Sequence, residues 1–269
     1  MKTIMLLLGA GVIGAKALAG LREGGIETAI RHYFAAGDTN SSAELRAAFH
    51  PATMMFWAGP DGALQSLTQP QWQERLDQAT TTSRALRRDI QWVDVVGDTA
   101  VAALHSDFPT FQFQDYVLLA RTHGQWQIIA KVFQRIEGTS HDGEAKDTRE
   151  GAHREIEEVL QTKFQAMDNS DGGKLGRAYH ARGMSFAVTD QQLVSTSVAE
   201  WQARFDAAKA SGKGLRKGTR SIRKIESCRS VAVAEFVHDY GTETMVDHAL
   251  LVKSEGQWRM MALTYAQQP

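Results

Sequence analysis

His105 and Asp107 are the residues with the clearest chemical potential, because they stand two positions apart in a segment with the alternating pattern of a β-strand. Alternate residues of a strand share one face, which places the two backbones roughly 7 Å apart. At that spacing a carboxylate can orient an imidazole and stabilise its charged form, so the two residues form a candidate acid–base pair. The later half of the chain has Val237 and Asp239 at the corresponding positions, and the pair does not recur.

Asp115 and Tyr116 extend this hypothesis to a cofactor-free acid–base enzyme, an isomerase or a dehydratase. The aspartate is an alternative base to the His105–Asp107 pair, and the tyrosine can donate a hydrogen bond to a developing oxyanion. An acid at the start of a strand also commonly caps a turn or pairs with an arginine, so a structural role for Asp115 stays open.

A second set of residues indicates a pocket for a flat or partly apolar ligand. Aromatic side chains can line such a pocket or pack the core, and both interpretations stay open for them. His50 and His180 close predicted helices, where an imidazole can bind an anion or can bond the last carbonyl groups. The predicted ligand-binding residues are His50, Phe56, Trp57, Trp92, His180, Phe186, Asp239 and His248.

Metal and cofactor chemistry find no support in the sequence. No group of histidine, cysteine and carboxylate residues has the spacing of a metal site, and no nucleophile motif is present. The single cysteine, Cys228, excludes an intramolecular disulfide and is predicted to lie buried in a strand. We therefore expect neither a metal nor a cofactor.

All these candidates lie in a sequence that repeats itself. Residues 87–133 align without a gap on residues 219–265 at a constant offset of 132, with 14 identities in 47 positions. Upstream, offsets of 129 to 130 pair Trp72 with Trp201. A unit of about 110 residues is too long for a solenoid repeat and has the size of a domain. The sequence therefore predicts two similar domains.

Each unit is predicted to place its helices before its strands. Apolar residues recur at helical spacing within residues 26–34, and again within residues 156–167. Shorter helices are expected around residues 45–49 and 72–76. The predicted strands of the first unit are residues 89–95, 100–108, 114–121 and 126–133.

A polar segment, residues 138–151, divides the two predicted domains, which span residues 22–137 and 152–269. The chain has 269 residues, of which 43% are hydrophobic and 23% are charged, so each half can bury a core of its own. Its net charge of −1 gives no general attraction to nucleic acid or to an anionic membrane. The basic run between residues 209 and 224 is predicted to be a solvated loop.

Residues 1–21 have the pattern of an export signal. Lys2 precedes a short apolar run, and Ala17-Leu18-Ala19 fits a cleavage site. We expect an exported or periplasmic protein, with a cytoplasmic location as the alternative. Gly9, Gly11 and Gly14 spell a dinucleotide-binding motif, but the β-α-β unit that this motif requires does not follow them.

Short motifs follow one another in the same order in both copies. In the first copy they are Phe49-His50-Pro51, Gly97-Asp98-x-Ala100-x-Ala102, Asp115-Tyr116 and Gly124-Gln125-Trp126. The second copy keeps Tyr179-His180, Ala232-Val233-Ala234, Asp247-His248 and Gly256-Gln257-Trp258. This order resembles the nuclear transport factor 2-like superfamily, also called SnoaL-like, and above all its bacterial branch of putative lumazine-binding proteins. The two copies cover nearly all of the chain after residue 25.

The resemblance implies an α+β fold of two tandem cone-shaped barrels, in which helices close one side of a curved antiparallel sheet around a pocket. It also implies that the convex faces of the two sheets meet as an internal pseudo-dimer, and assembly into a homo-oligomer stays open. Because this fold hosts isomerases, dehydratases, hydrolases, binding proteins and transport factors, function must be argued from the site.

Three functions follow from these observations. We expect a protein that binds a small, partly apolar molecule without catalysing a reaction. The first alternative is the acid–base enzyme, with the His105–Asp107 pair inside the first cone. The second alternative is a scaffold whose cones are filled by side chains.

Overall fold

The computed structural model describes residues 25–138 and 146–268, which form two α+β units of the same design. The predicted export signal and the glycine motif lie outside the described residues. Each unit packs helices against one face of a curved six-stranded sheet, so the predicted pair of tandem cones is confirmed. Within the described ranges, no helix combines the length and the apolar character needed to span a bilayer.

The first unit begins with two helices and continues into its sheet. Its described helices are α1 (Ile26–Thr39), α2 (Ser42–Ala48) and α3 (Gln69–Gln78). Its strands are β1 (Phe49–Ala58), β2 (Leu64–Thr68), β3 (Arg87–Val96), β4 (Thr99–Asp107), β5 (Phe111–Thr122) and β6 (Gln125–Glu137). They lie in the order β2-β1-β6-β5-β4-β3.

The second unit repeats this order. Its described helices are α4 (Lys146–Asn169), α5 (Gly172–Ala178) and α6 (Val198–Ala210). Its strands are β7 (Tyr179–Thr189), β8 (Gln192–Ser197), β9 (Thr219–Cys228), β10 (Val231–Asp239), β11 (Thr244–Ser254) and β12 (Gln257–Gln267), in the order β8-β7-β12-β11-β10-β9. Helix α4 begins inside the polar segment 138–151.

Both sheets are mixed, whereas the resemblance implies antiparallel ones. Strand β1 runs parallel to β6, and β7 runs parallel to β12. Strands β1 and β2 are also absent from the sequence prediction. The pairing of β1 with β6 shifts register between Phe49 and Met54, around Pro51, which has no N–H to donate. This irregularity interrupts the alternation by which a strand is recognised.

The helices cover the concave face of each sheet. Helix α1 buries Ile26, Ile30 and Phe34, which form one stripe at helical spacing. Thr68 and Gln71 form a capping box at the start of α3, and Ser197 with Glu200 does the same for α6. Because these caps fix where each helix begins, Trp72 and Trp201 come to lie against their own cone.

The convex faces of the two sheets pack against each other, as the resemblance implies. Along β4, Val101 and Ala103 lie at this interface, whereas Ala102 and Leu104 lie in the core of the first cone. The alternation of the strand therefore divides its residues between the cone and the interface. Large side chains buried at the interface are Phe56, Leu118, Phe186, Leu250 and Met261.

Candidate functional site

The second cone encloses a cavity of about 310 Å³ between its helices and the concave face of its sheet. Apolar and aromatic side chains form most of its wall: Met167, Leu175, Trp201, Phe205, Leu263 and Tyr265. A larger hollow of about 690 Å³ lies on the first domain and borders Gly25. Polar and charged side chains such as His32, Asp98 and Arg121 line this hollow, so the mostly apolar cavity of the second cone is the better candidate for a ligand site.

Three buried polar side chains stand together in the wall of this cavity. Lys163 of α4 lies with Nζ 3.2 Å from Oδ2 of Asp247 on β11. The same Oδ2 is 3.1 Å from Nε2 of His238 on β10, and Lys163 Nζ is 3.4 Å from that nitrogen. All three residues are at most 4% exposed. Asp247 is therefore shared by two partners in the wall of a mostly apolar cavity.

Burial and mutual charge set the protonation of this cluster. Burial lowers the pKa of Lys163, against the opposing attraction of Asp247. For Asp247, burial acts to raise the pKa, but Lys163 and His238 outweigh it and hold the pKa below its ordinary value. Burial also lowers the pKa of His238. The cluster thus favours an aspartate carboxylate beside a neutral imidazole.

Aromatic side chains pack together at the matching positions of the first cone. Trp57 lies 4.9 Å from Phe133 between ring centroids, and Phe133 contacts Phe113, which contacts Phe111. In the alignment of the two copies, the second domain has other residues at these four positions. In the same order they are Ala187, Tyr265, Met245 and Glu243. The second cone therefore has smaller or polar side chains at positions where the first has rings.

The first cone keeps a buried lysine–aspartate pair, but its lysine comes from another element. Lys131 of β6 lies 3.1 Å from Asp115, which also accepts a hydrogen bond from Tyr33 at 2.6 Å. In the second copy, Lys163 occupies the position of Tyr33, and Leu263 occupies that of Lys131. Both domains therefore have a buried lysine–aspartate pair, but the lysine lies on strand β6 in the first domain and on helix α4 in the second.

Sequence reasoning missed Lys163 and His238. The signal for Lys163 was its position in the apolar stripe of a helix, where the first copy has the buried Tyr33. A charged residue on a core-facing stripe must find a partner, because an unpaired buried charge is costly. His238 gave a weaker signal, since it matches Ser106 on the concave face of β4.

His105 and Asp107 do meet, with Nε2 and Oδ1 2.9 Å apart. They do not lie in the first cone, however. They continue the face of β4 that carries Val101 and Ala103, which is the convex face. The two residues therefore form the contact that the sequence predicts, but on the convex face of the sheet and not inside the first cone.

Several other predicted site residues lie at the domain interface. Tyr116 is 1% exposed, and its hydroxyl donates a hydrogen bond to Glu226 of the second domain at 3.2 Å. Trp92 donates to the other oxygen of Glu226 at 2.9 Å. Phe56 and Phe186 are buried in the same interface. Because both faces of each sheet are covered, aromatic residues on the convex side pack rather than line a cavity.

His248, which was predicted to bind a ligand, also lies at the interface, beside Asp94 and Glu235. Its Nε2 is 3.6 Å from Oδ2 of Asp94. The neighbouring imidazole of His248 lowers the pKa of Asp94. Burial, together with the charge of Asp94, raises the pKa of Glu235. Two carboxylates therefore share a small space with one imidazole.

The remaining predicted residues form local turns. His50 Nδ1 accepts a hydrogen bond from the N–H of Ala52, and His180 Nδ1 accepts one from the N–H of Arg182, each at 3.1 Å. Asp239 is exposed and accepts a hydrogen bond from the N–H of Gly241 at 2.7 Å. These three side chains stabilise turns outside the wall of the second cone.

Tyr116→Phe tests whether the Tyr116 hydroxyl is structural or catalytic. Removing the hydrogen bond to the Glu226 carboxylate should cost about 1.5–3 kcal/mol of unfolding free energy. The variant should leave the second cone unchanged, since Tyr116 is not in its wall. Urea denaturation of both proteins gives the difference. Unchanged stability would show that the interface does not depend on this hydrogen bond.

The comparisons with known proteins agree with the duplicated architecture. A sequence profile of the family described as putative lumazine-binding matches residues 22–134 and again residues 151–266. No curated protein has significant similarity to the chain.

Three similar solved structures each match less than half of this chain, and all three come from proteins of unknown function. A nuclear transport factor 2-like protein of Shewanella baltica is 23% identical, with a TM-score of 0.38, over 41% of this chain and 90% of its own. A second, from Silicibacter pomeroyi, is 16% identical, with a TM-score of 0.39, over 44% of this chain and 98% of its own. A third, from Methylobacillus flagellatus, is 20% identical, with a TM-score of 0.38, over 49% and 100%.

Proposed function

This chain belongs to the putative lumazine-binding family, and we propose that its second domain is a receptor for a small, partly apolar molecule. The observation that carries this proposal is the cavity of about 310 Å³ with the Lys163–Asp247–His238 cluster in its wall. Ligand sites typically combine an apolar wall with a few convergent polar groups. The first domain carries packed rings at the matching positions and supports the second domain across the shared interface.

The size and chemistry of the cavity limit its ligand. A volume near the lower end of the range of about 300–1,000 Å³ fits a molecule of one or two rings. Trp201 and Tyr265 offer flat apolar surface, while Lys163 can donate a hydrogen bond to a carbonyl or an acidic group of the ligand. We therefore expect a planar ligand with a polar edge.

Binding without catalysis is favoured by the protonation of the cluster. An effective general base has a pKa near the working pH. Lys163 and His238 hold the pKa of Asp247 below its ordinary range, which makes that carboxylate a weak base. The Lys163 ammonium and the Asp247 carboxylate also form an ion pair at 3.2 Å in the absence of a ligand.

One observation supports an acid–base enzyme as the second candidate. The His238–Asp247 contact of 3.1 Å is a histidine–aspartate pair in the wall of a cavity, which is the arrangement that sequence analysis assigned to the other domain. An enzyme would convert its ligand, whereas a receptor returns it chemically unchanged. The identity of the molecule recovered after incubation therefore separates the two functions.

The proposed function is tested by native mass spectrometry of the protein purified from its host, followed by calorimetric titration with lumazine. Lumazine is a suitable probe because it is planar and has a polar edge, and because the family is described by it. A stoichiometric bound molecule, or saturable binding of lumazine, supports the receptor. Protein that carries no ligand and does not bind the probe contradicts it.

The double variant Glu243→Phe/Met245→Phe should close the second cone. It gives the second domain the phenylalanines of Phe111 and Phe113 in the first, which occlude the matching space. We expect the affinity for lumazine, or for the co-purified molecule, to fall roughly ten-fold or more, a change of about 1.4 kcal/mol. Glu74→Phe, on the exposed face of α3, is the control and should bind as the wild type does. Undiminished binding by the folded double variant would place the ligand elsewhere.

A further inference from the structure

We propose that Asp94, Glu235 and His248 bind one divalent transition-metal ion, such as Zn²⁺, at the interface between the two domains. Asp94 lies on β3 of the first domain, whereas Glu235 and His248 are cross-strand partners on β10 and β11 of the second. The sequence predicts no metal site, because Asp94 is far from Glu235 and His248 in the chain and meets them only when the convex faces dock. The proposal is independent of the cavity in the second cone.

The positions of the three side chains fit a shared ion. One ligand atom from each residue lies within 4.8 Å of the other two. His248 Nε2 and Asp94 Oδ2 are 3.6 Å apart, which is long for a hydrogen bond. Two ligands that each lie about 2.0–2.2 Å from a tetrahedral ion are separated by roughly 3.4 Å. The observed separation is therefore close to that of two ligands of the same ion.

His248 supplies a second and independent indication. It is 1% exposed, and among the described residues neither of its ring nitrogens has a hydrogen-bond partner. Leaving a buried polar group without a partner costs stability. A metal ion bound to the ring nitrogen that faces Asp94 would satisfy that atom.

The pseudo-twofold relation between the domains provides an internal comparison. The offset of 132 matches Asp94 to Glu226 and His248 to Tyr116. In that half of the interface, Tyr116 and Trp92 both donate hydrogen bonds to Glu226. The carboxylate there accepts these two hydrogen bonds and also forms an ion pair with Lys224 at 3.4 Å. Ala103 occupies the position that corresponds to Glu235 of the other half. One half of the interface is thus a closed hydrogen-bonded contact, and the other presents a set of metal ligands.

The donor set selects the class of ion. One imidazole nitrogen with two carboxylate oxygens suits Zn²⁺ and its neighbours among the divalent transition metals, whereas Mg²⁺ and Ca²⁺ prefer oxygen alone. Arg223 approaches Oε1 of Glu235 at 3.4 Å, so the ion would share this carboxylate with a guanidinium at the rim. The half-exposed Asp94 leaves access for the ion from solvent. The bound ion would join the two domains and stabilise the folded chain by mass action.

The experiment is calorimetric titration of the full chain with Zn²⁺ after removal of metals by a chelator, alongside thermal unfolding with and without Zn²⁺. We expect one equivalent to bind and to raise Tm, and a Co²⁺-loaded sample to show the visible absorption of a site with nitrogen and oxygen ligands. His248→Ala should weaken binding by roughly a hundred-fold or more and abolish the rise in Tm. Glu226→Gln, in the matching half of the interface, should bind Zn²⁺ as the wild type does.

Glu235→Ala introduces the alanine that the first domain has at the corresponding position, Ala103. This variant tests the proposal if His248→Ala does not fold. It should also lose the tight site. The absence of stoichiometric binding to the wild type would overturn the proposal. So would equal affinity in the wild type and both folded ligand variants, because the ion would then be held by other residues.

Discussion

Replacing Lys163 by methionine is expected to lower the unfolding free energy of the second domain by about 3–5 kcal/mol. The substitution keeps the side-chain volume and removes the cation that lies 3.2 Å from Asp247. Asp247 is 4% exposed, so its carboxylate would remain buried with only His238 as a partner from this cluster. Urea denaturation followed by tryptophan fluorescence measures the loss, because Trp201 lies in the wall of the same cavity.

The unfolding free energy lost on Lys163→Met should depend on pH. In the wild type, burial and the charge of Lys163 keep the pKa of His238 below its unfolded value of about 6.5, so the unfolded chain binds more protons and acidification destabilises the fold. Without Lys163, the pKa of His238 rises, and a protonated imidazole can pair with Asp247. The destabilisation by Lys163→Met should therefore be smaller at about pH 5.5 than at about pH 7.5.

Two further variants test the interpretation. Lys174→Met, at a solvent-exposed ammonium, should change stability by no more than about 0.5 kcal/mol. The double variant Lys163→Met/Asp247→Leu removes both charges, and it should be more stable than Lys163→Met or Asp247→Leu alone because no uncompensated charge is left buried. Strictly additive effects in this cycle would show that the two charges do not stabilise each other.

Phe186→Ala is the second substitution with a large expected effect, a loss of about 3–5 kcal/mol. Phe186 is 2% exposed at the interface between the sheets, where truncation leaves a cavity that the surrounding strands cannot fill. Because side chains from both domains pack in this cluster, the loss should reach the first domain as well. Hydrogen-exchange mass spectrometry should then show faster exchange in β5 of the first domain.

Leu86→Ala is the control for this experiment. Leu86 is 71% exposed, so its truncation should change stability by no more than about 0.5 kcal/mol. Faster exchange restricted to the second domain of Phe186→Ala would contradict a jointly stabilised interface.

The sequence by itself determined the duplication, the order of helices and strands, and which side chains of a strand are neighbours. The alignment at an offset of 132 predicted two domains, and the family profile matches twice. Strand alternation predicted that His105 and Asp107 meet, and they do, at 2.9 Å. These features depend on local periodicity, which a single chain displays directly.

The tertiary structure alone decided which face of each sheet is concave. The segment from Ala100 to Leu104 is apolar on both faces, because one face packs in the cone and the other at the interface. In an apolar run of this kind, the residue types do not distinguish the face that packs in the cone from the face that packs at the interface. The sequence therefore could not show that His105 and Tyr116 lie on the convex side.

The sites themselves also depended on packing between distant segments. Lys163 reaches Asp247 from a helix far away in the chain, and Asp94 meets His248 only across the two docked domains. The open second cone follows from which side chains fill matching positions, such as Trp57 in one copy and Ala187 in the other. Periodicity places a residue on a face of its own element, but the partners it meets and the space left between them are set only when the elements pack.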